Sequence, residues 1–232
     1  LALGEKGQSV DVLVMTATPI PRSLALSQYG EMDLTLLKEK PAGRKPVKTV
    51  IISDTRIHEV AAKLKEAINR GIQAYWVCPL IEESELLDYT AAEERFKALR
   101  TYLGEGLVGL VHGQMSSEDK DDVMTKFSHG EIKVLVSTTV IEVGVDVPRA
   151  SIIVIERAEK FGLAQLHQLR GRVGRGSSES SCILLYKVPL SENGEKRLSI
   201  LRETEDGFKI AEIDLQMSCL LYTSDAADEC LC

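Results

Sequence analysis

The stretch IKVLVSTTVIEVGVDVPRASIIVIER, residues 132–157, decides the fold. It holds two β-branched runs, IKVLVSTTV (132–140) and SIIVIER (151–157), each apolar at successive rather than alternate positions. A strand wetted on one face alternates apolar and polar residues, so unbroken runs are the pattern of strands covered on both faces. Similar runs recur at TVIIS (49–53), QAYWVCP (73–79), LVGLVHG (107–113) and SCILLYKV (181–188), with VDVLVMTAT (10–18) upstream. Amphipathic stretches separate them, at 56–71, 90–103, 116–128, 163–173 and 191–204, followed by EDGFKIAEIDLQM (205–217). Strands alternating with helices of these lengths predict an α/β domain, a mostly parallel sheet flanked by helices.

The chain has 232 residues, 44% hydrophobic and 27% charged, enough for one large or two small domains with a real core. No apolar run approaches the roughly 20 residues that span a bilayer. The start LALGEKGQSV lacks a basic patch followed by an apolar core. A cytoplasmic chain without a membrane partner is therefore expected. Cys78, Cys182, Cys219, Cys230 and Cys232 form no C-x-x-C pair, so neither a zinc site nor a disulfide framework is expected. The net charge of −7 excludes nonspecific coating of nucleic acid, because phosphate binding needs clustered cations. Local patches must carry any such contact.

Two boundaries stand out. KEKPAGRKPVK (38–48), rich in proline and basic residues, reads as a linker. One strand and one helix precede it, so residues 1–37 are expected to be the end of a larger domain, and 49–190 form the main one. The second break comes near Met217: residues 191–217 read as helical, and 218–232, SCLLYTSDAADECLC, lose the periodicity and are expected to be a non-native tail.

The most specific local signal is QLHQLRGRVGRG, residues 165–176. Arg172 and Arg175 lie three apart, on one helical face or around one turn, and both can approach a single anion. Gln168 precedes them, and Gly171 and Gly174 are expected to let the backbone turn tightly. Guanidinium forks suit phosphate oxygens, and an arginine finger stabilises charge that develops during phosphoryl transfer. A solvated basic turn is the plain alternative. In STTVIEVGVDVP (137–148), Ser137, Thr138 and Thr139 can donate to a backbone phosphate and Asp146 can accept from a ribose hydroxyl. Equally, the threonines can satisfy their own backbone and Asp146 can open a turn before Pro148. TATPIPR (16–22) puts Thr16 and Thr18 where a strand meets a loop, either to couple two sites or merely to cap a helix. In HGQMSSEDK (112–120), Gly113 precedes Ser116 and Asp119 in capping-box spacing, so the helix start either meets a phosphate or is simply capped.

The series TATPIPR, QAYWVCPLIEES, HGQM, TTVIEVGVDVP and HQLRGRVGRG resembles the later motifs of superfamily 2 helicases, and within them the RecG-type DNA helicases. GRKPVKT, AYWVCPLIEESELL and LRETEDGFKIAEIDLQM narrow the resemblance to that type, over nearly all of residues 1–217. It implies that 1–37 end a first RecA-like lobe, 49–190 form the second, and 191–217 begin a C-terminal helical hairpin. It implies ATP and Mg2+ as cofactors, held mainly by the first lobe, and branched or duplex DNA as substrate in repair and recombination. Gln168, Arg172 and Arg175 would face ATP, with Gly144 and Asp146 near the nucleotide. Thr138, Thr139 and Gly113 would lie on DNA, and Thr16 and Thr18 would couple the two sites. The family pattern departs after Met217, at Ser218 and Cys219.

No G-x-x-x-x-G-K-[ST] phosphate loop occurs, and no strand-borne Asp-Glu pair for magnesium. The chain alone is therefore expected to be inactive, its partners being the first lobe and wedge domain of a longer chain. Two alternatives stay open: a piece of a transcription-repair coupling translocase, and a non-catalytic RecA-like interaction module.

Overall fold

The computed structural model describes residues 35, 37, 44–79, 85–138, 147, 149–176 and 178–228, with the side chains of 85–89 and 218–228 excepted. Thr16, Thr18, Thr139, Gly144 and Asp146 lie outside the described residues, as does most of the segment before the main domain.

Six strands form one sheet: β1 (Val47–Ser53), β2 (Gln73–Cys78), β3 (Val108–Val111), β4 (Val134–Thr138), β5 (Ala150–Ile155) and β6 (Ser180–Tyr186). Their order is β1-β6-β5-β2-β4-β3, and every pairing is parallel. The helices are α1 (Ile57–Asn69), α2 (Glu85–Leu103), α3 (Ser117–His129), α4 (Leu163–Arg170), α5 (Glu192–Glu203) and α6 (Gly207–Asp228). The predicted α/β architecture, a parallel sheet covered by helices, is the observed one.

The unbroken apolar runs have the cause inferred for them. In β2, Ala74, Trp76 and Cys78 join Val60, Leu64 and Ile68 of α1 and Leu99 and Leu103 of α2 on one face. Tyr75 and Val77 point the other way, with Leu135, into a second core built by Phe127 of α3, Leu166 of α4 and Leu198 of α5. Successive side chains of a strand alternate faces, so a strand buried twice must be apolar throughout. Gln73 is the exception: fully buried, it donates from Nε2 to the carbonyls of Phe127 and Ile132, at 2.5 and 2.9 Å. It ties the end of α3 to the start of β4.

Two element ends differ from the sequence reading. The helix expected over 163–173 stops at Arg170, with Gly171 as its C-cap. The last helix runs on to Asp228, so the backbone does not break at Met217.

Candidate nucleotide and nucleic-acid edges

In a parallel sheet all strands enter at one edge and leave at the other. The sequence-predicted residues divide between these edges, on the order of 15–20 Å apart for strands of this length at ~3.3 Å per residue.

The arginine turn lies at the entry edge. Helix α4 buries Leu163, Leu166 and Leu169 against the sheet at the apolar spacing its sequence predicts, and leaves Gln168 exposed. It runs back along the strands and delivers its C-terminus beside the start of β1. Past Arg170 the chain makes one tighter turn, with Arg172 N–H donating to the Leu169 carbonyl at 3.0 Å and Val173 N–H to Arg170 at 3.3 Å. Val173 is fully buried, and Gly174 has φ +78°. A Cβ on Gly174 would stand 2.7 Å from Cγ2 of Val47, so glycine is required there both by conformation and by close approach. Gly171, by contrast, has φ −65° and needs no special freedom. Arg172 and Arg175 thus flank a buried anchor around a turn, not along a helical face. Arg172 is half-buried; Arg175 is exposed and donates from Nε to the Gly171 carbonyl at 3.4 Å.

A residue the sequence reading missed holds this turn in place. Arg170, only 3% exposed, donates to the Leu201 carbonyl of α5 and to Thr49 Oγ1 of β1 at 3.5 Å, and meets His167 Nδ1 at 3.0 Å. Burial pulls its guanidinium below the ordinary value, with Cys182 and Glu205 opposing. Glu205 also accepts from Val47 N–H, at 2.5 Å. The turn is therefore fastened to β1 and to the junction of α5 and α6 by one set of polar contacts.

Thr138 and Gly113 lie at the exit edge, away from the arginines. Thr138 ends β4 opposite Cys78 and is 4% exposed, and Ser137 is 1% exposed with no hydrogen-bond partner for Oγ among the described residues. Contact between the Thr138 hydroxyl and a phosphate therefore requires its neighbours to move. Gly113 is exposed, and its carbonyl accepts from Lys120 Nζ at 3.0 Å. A Cβ there would meet nothing, so its backbone does not demand glycine. Ser116 caps α3, accepting from Asp119 N–H at 3.1 Å and donating to Asp119 Oδ2 at 2.7 Å. With Glu118 and Asp119 already in the first turn, the capping alternative describes this helix start better than a phosphate site. His112 is half-buried; desolvation lowers its pKa, Glu93 opposes and Lys120 adds.

The same edge holds a cluster that sequence spacing could not reveal. Glu156, directly after β5, accepts from Trp76 Nε1 and from Arg95 Nε, and from Arg95 Nη2 at 3.1 Å. The Arg95 guanidinium also stands 5.7 Å from the centre of the Trp76 ring. Among the described residues no group of three His, Cys, Asp or Glu side chains converges as a metal site. None of the described helices is long and apolar enough to cross a membrane.

A helix-covered parallel sheet with an arginine turn at one edge is the architecture of a helicase's second lobe, and the chain belongs to the helicase conserved C-terminal domain family, whose profile matches residues 59–177. Within that class it is similar to ATP-dependent DNA helicase RecG. The RecG of Escherichia coli (strain K12) is 54% identical over 222 residues, covering 94% of this chain and 32% of that protein. The RecG of Bacillus subtilis (strain 168) is 50% identical over 216 residues, 93% of this chain and 32% of that protein. The chain thus spans about a third of the length of the curated relatives it matches. A solved structure of RecG bound to a three-way DNA junction superposes with TM-score 0.77 and 49% identity, over 90% of this chain and 27% of that one. Saccharomyces cerevisiae Dbp5 bound to RNA and ADP BeF3 shares the fold, with TM-score 0.54 and 19% identity over 79% of this chain and 46% of that one. The RecG-type resemblance of the motif series is matched by these relatives over 93–94% of the chain.

Proposed function

We propose that this chain is the second motor lobe of an ATP-dependent DNA helicase that remodels branched DNA, with nucleotide at its entry edge and DNA along its exit edge. The observation that carries the reading is the separation of the two sets of residues. Arg172 and Arg175 flank a rigid turn at one edge, while Thr138 and Gly113 lie at the other. A motor needs this division, because ATP closes a cleft at one place while the lobe holds nucleic acid at another.

In this reading Arg172 and Arg175 present guanidinium groups to the nucleotide phosphates, and Gln168 lies one helical turn before Arg172. Bound ATP with Mg2+ supplies the phosphoryl group whose charge the arginines stabilise. The donor set fits phosphate: planar forks, fixed by Val173 and Gly174. Without a phosphate loop in its sequence the chain binds ATP weakly and does not turn it over unaided.

The test replaces the matching third of E. coli RecG with this chain. Arg172→Lys keeps the charge and loses the planar fork, so it separates geometry from Coulomb attraction. By the behaviour of arginine fingers, ATP turnover should fall roughly a thousandfold or more, with branched-DNA affinity barely changed. Normal hydrolysis with weakened, less salt-dependent DNA binding would instead put the arginine on the DNA backbone.

A further inference from the structure

We propose that Arg157, at the exit edge of β5, is a phosphate-backbone contact for DNA. The inference rests on the DNA-facing reading of that edge. Its first support is conformational. Arg157 has φ +48° and ψ +47°, and among the described residues it is the one non-glycine residue with positive φ. L side chains adopt that region rarely, and such a residue persists only where its surroundings over-determine it.

Here they do. Glu156 N–H donates to the Val77 carbonyl at 2.9 Å on one side of Arg157. On the other side Arg197 of α5 donates from Nη1 to the carbonyls of Glu159 and Phe161, at 3.3 and 3.2 Å. Lys187 N–H adds a 3.4 Å contact to Glu159 Oε2. The turn is fastened at both ends around a residue whose own backbone would prefer another conformation.

The second support is the guanidinium. The Arg157 side chain is 34% exposed, its Nε is buried without a hydrogen-bond partner, and the ion pair from Nε to Glu159 Oε1 is long, at 3.8 Å. The Glu156 carboxylate beside it is already neutralised by Arg95. Lys160 and Lys187 are exposed at the same corner, so cations outnumber acids there in a chain whose net charge is −7. A charged donor held in a strained turn, short of partners and among other cations, suits an anion arriving from outside.

Position selects the anion. Strand β2 separates β5 from β4, which places the end of β5 two strand spacings, about 10 Å, from the end of β4 at Thr138. That is the span of about three nucleotides at ~3.4 Å per residue of one strand. A polynucleotide crossing the exit edge past Thr138 would therefore reach Arg157 within a few phosphates.

The experiment measures binding of this chain to labelled mixed-sequence duplex DNA across a salt series, by fluorescence anisotropy. Arg157→Asn removes the charge but tolerates the left-handed backbone; Arg157→Lys keeps the charge. One lost phosphate contact should weaken binding and flatten the slope of log affinity against log salt by about 0.9. Arg157→Lys should keep the slope, and the melting temperature of Arg157→Asn should stay the same or rise as strain is relieved. A slope unchanged in Arg157→Asn while the parent chain binds overturns this inference alone. Loss of binding together with a lowered melting temperature makes Arg157 a residue of the fold and equally overturns it. No DNA binding by the parent chain overturns the DNA-facing reading of the edge itself.

Discussion

The close approach of Gly174 to Val47 can be tested in a way that separates its two causes. Gly174→Ala imposes a left-handed conformation on an L residue, at a cost of about 1–2 kcal/mol. The new Cβ also arrives 2.7 Å from Cγ2 of Val47, which is only 9% exposed and cannot swing into solvent. Overpacking of that kind costs about 1–3 kcal/mol. The sum, roughly 2–5 kcal/mol, corresponds in a domain of this size to a fall in melting temperature of about 5–15 °C. Val47→Ala alone should cost about 1.5 kcal/mol, two methyl groups at ~0.8 kcal/mol each. In the double variant the methyl on residue 174 occupies the vacated space, so the pair should be less destabilised than the sum of the singles by about 1–2 kcal/mol. Gly113→Ala is the control: it meets open space and should stay within about 0.5 kcal/mol of the parent. Calorimetry on the parent and these variants decides the matter. Strict additivity of Gly174→Ala and Val47→Ala would refute the steric account and leave conformation as the whole cost.

Other outcomes follow from the same geometry. Arg170→Met fills much of the volume but leaves the Leu201 carbonyl without its charged donor, so denaturant titration should show a loss of about 1–3 kcal/mol; an unchanged midpoint would mean that α5 is held without it. Burial pushes the Cys182 thiol up to about 12, and Cys78 higher still with Glu156 adding to the desolvation, so both stay protonated at neutral and mildly alkaline pH. Mass-spectrometric mapping after alkylation at pH 8 should find both unmodified in the folded protein and modified after denaturation. Removing Ser218 to Cys232 should leave the melting temperature nearly unchanged, whereas a fall of several degrees, on the order of 1–2 kcal/mol, would make that segment part of the fold.

How much the sequence disclosed depends on how local each cause is. The six strands were legible because burial on two faces removes most polar residues from a run, as in AYWVC of β2, VLV of β4 and IIVI of β5. Helix α4 was legible from Leu163, Leu166 and Leu169, but its end was not. The helix stops where Val173 turns into the core and Gly174 meets Val47, and that contact joins residues 127 positions apart. The role proposed for Arg172 and Arg175 does not depend on a helix there, because a buried valine and a left-handed glycine also hold the two residues around one turn.

Burial of polar groups was the part that local reasoning could not reach. In HQLRGRVGRG three arginines look alike, yet Arg170 is buried and binds Leu201 and Thr49, which lie 31 and 121 residues away, while Arg175 faces solvent. A string of letters gives no sign of which guanidinium meets a distant carbonyl. Thr138 shows the converse: a hydroxyl at a strand end reads as available, but Thr138 pairs with Cys78 of β2 and is 4% exposed. Glu156 draws Trp76 and Arg95 together across 80 and 61 residues, at the edge proposed for DNA. These three residues share no motif spacing, because what unites them is the order in which a parallel sheet lays its strands side by side. Motif reading therefore finds groups that act near one another in the chain, and it misses the groups that position them, whose partners are chosen by topology.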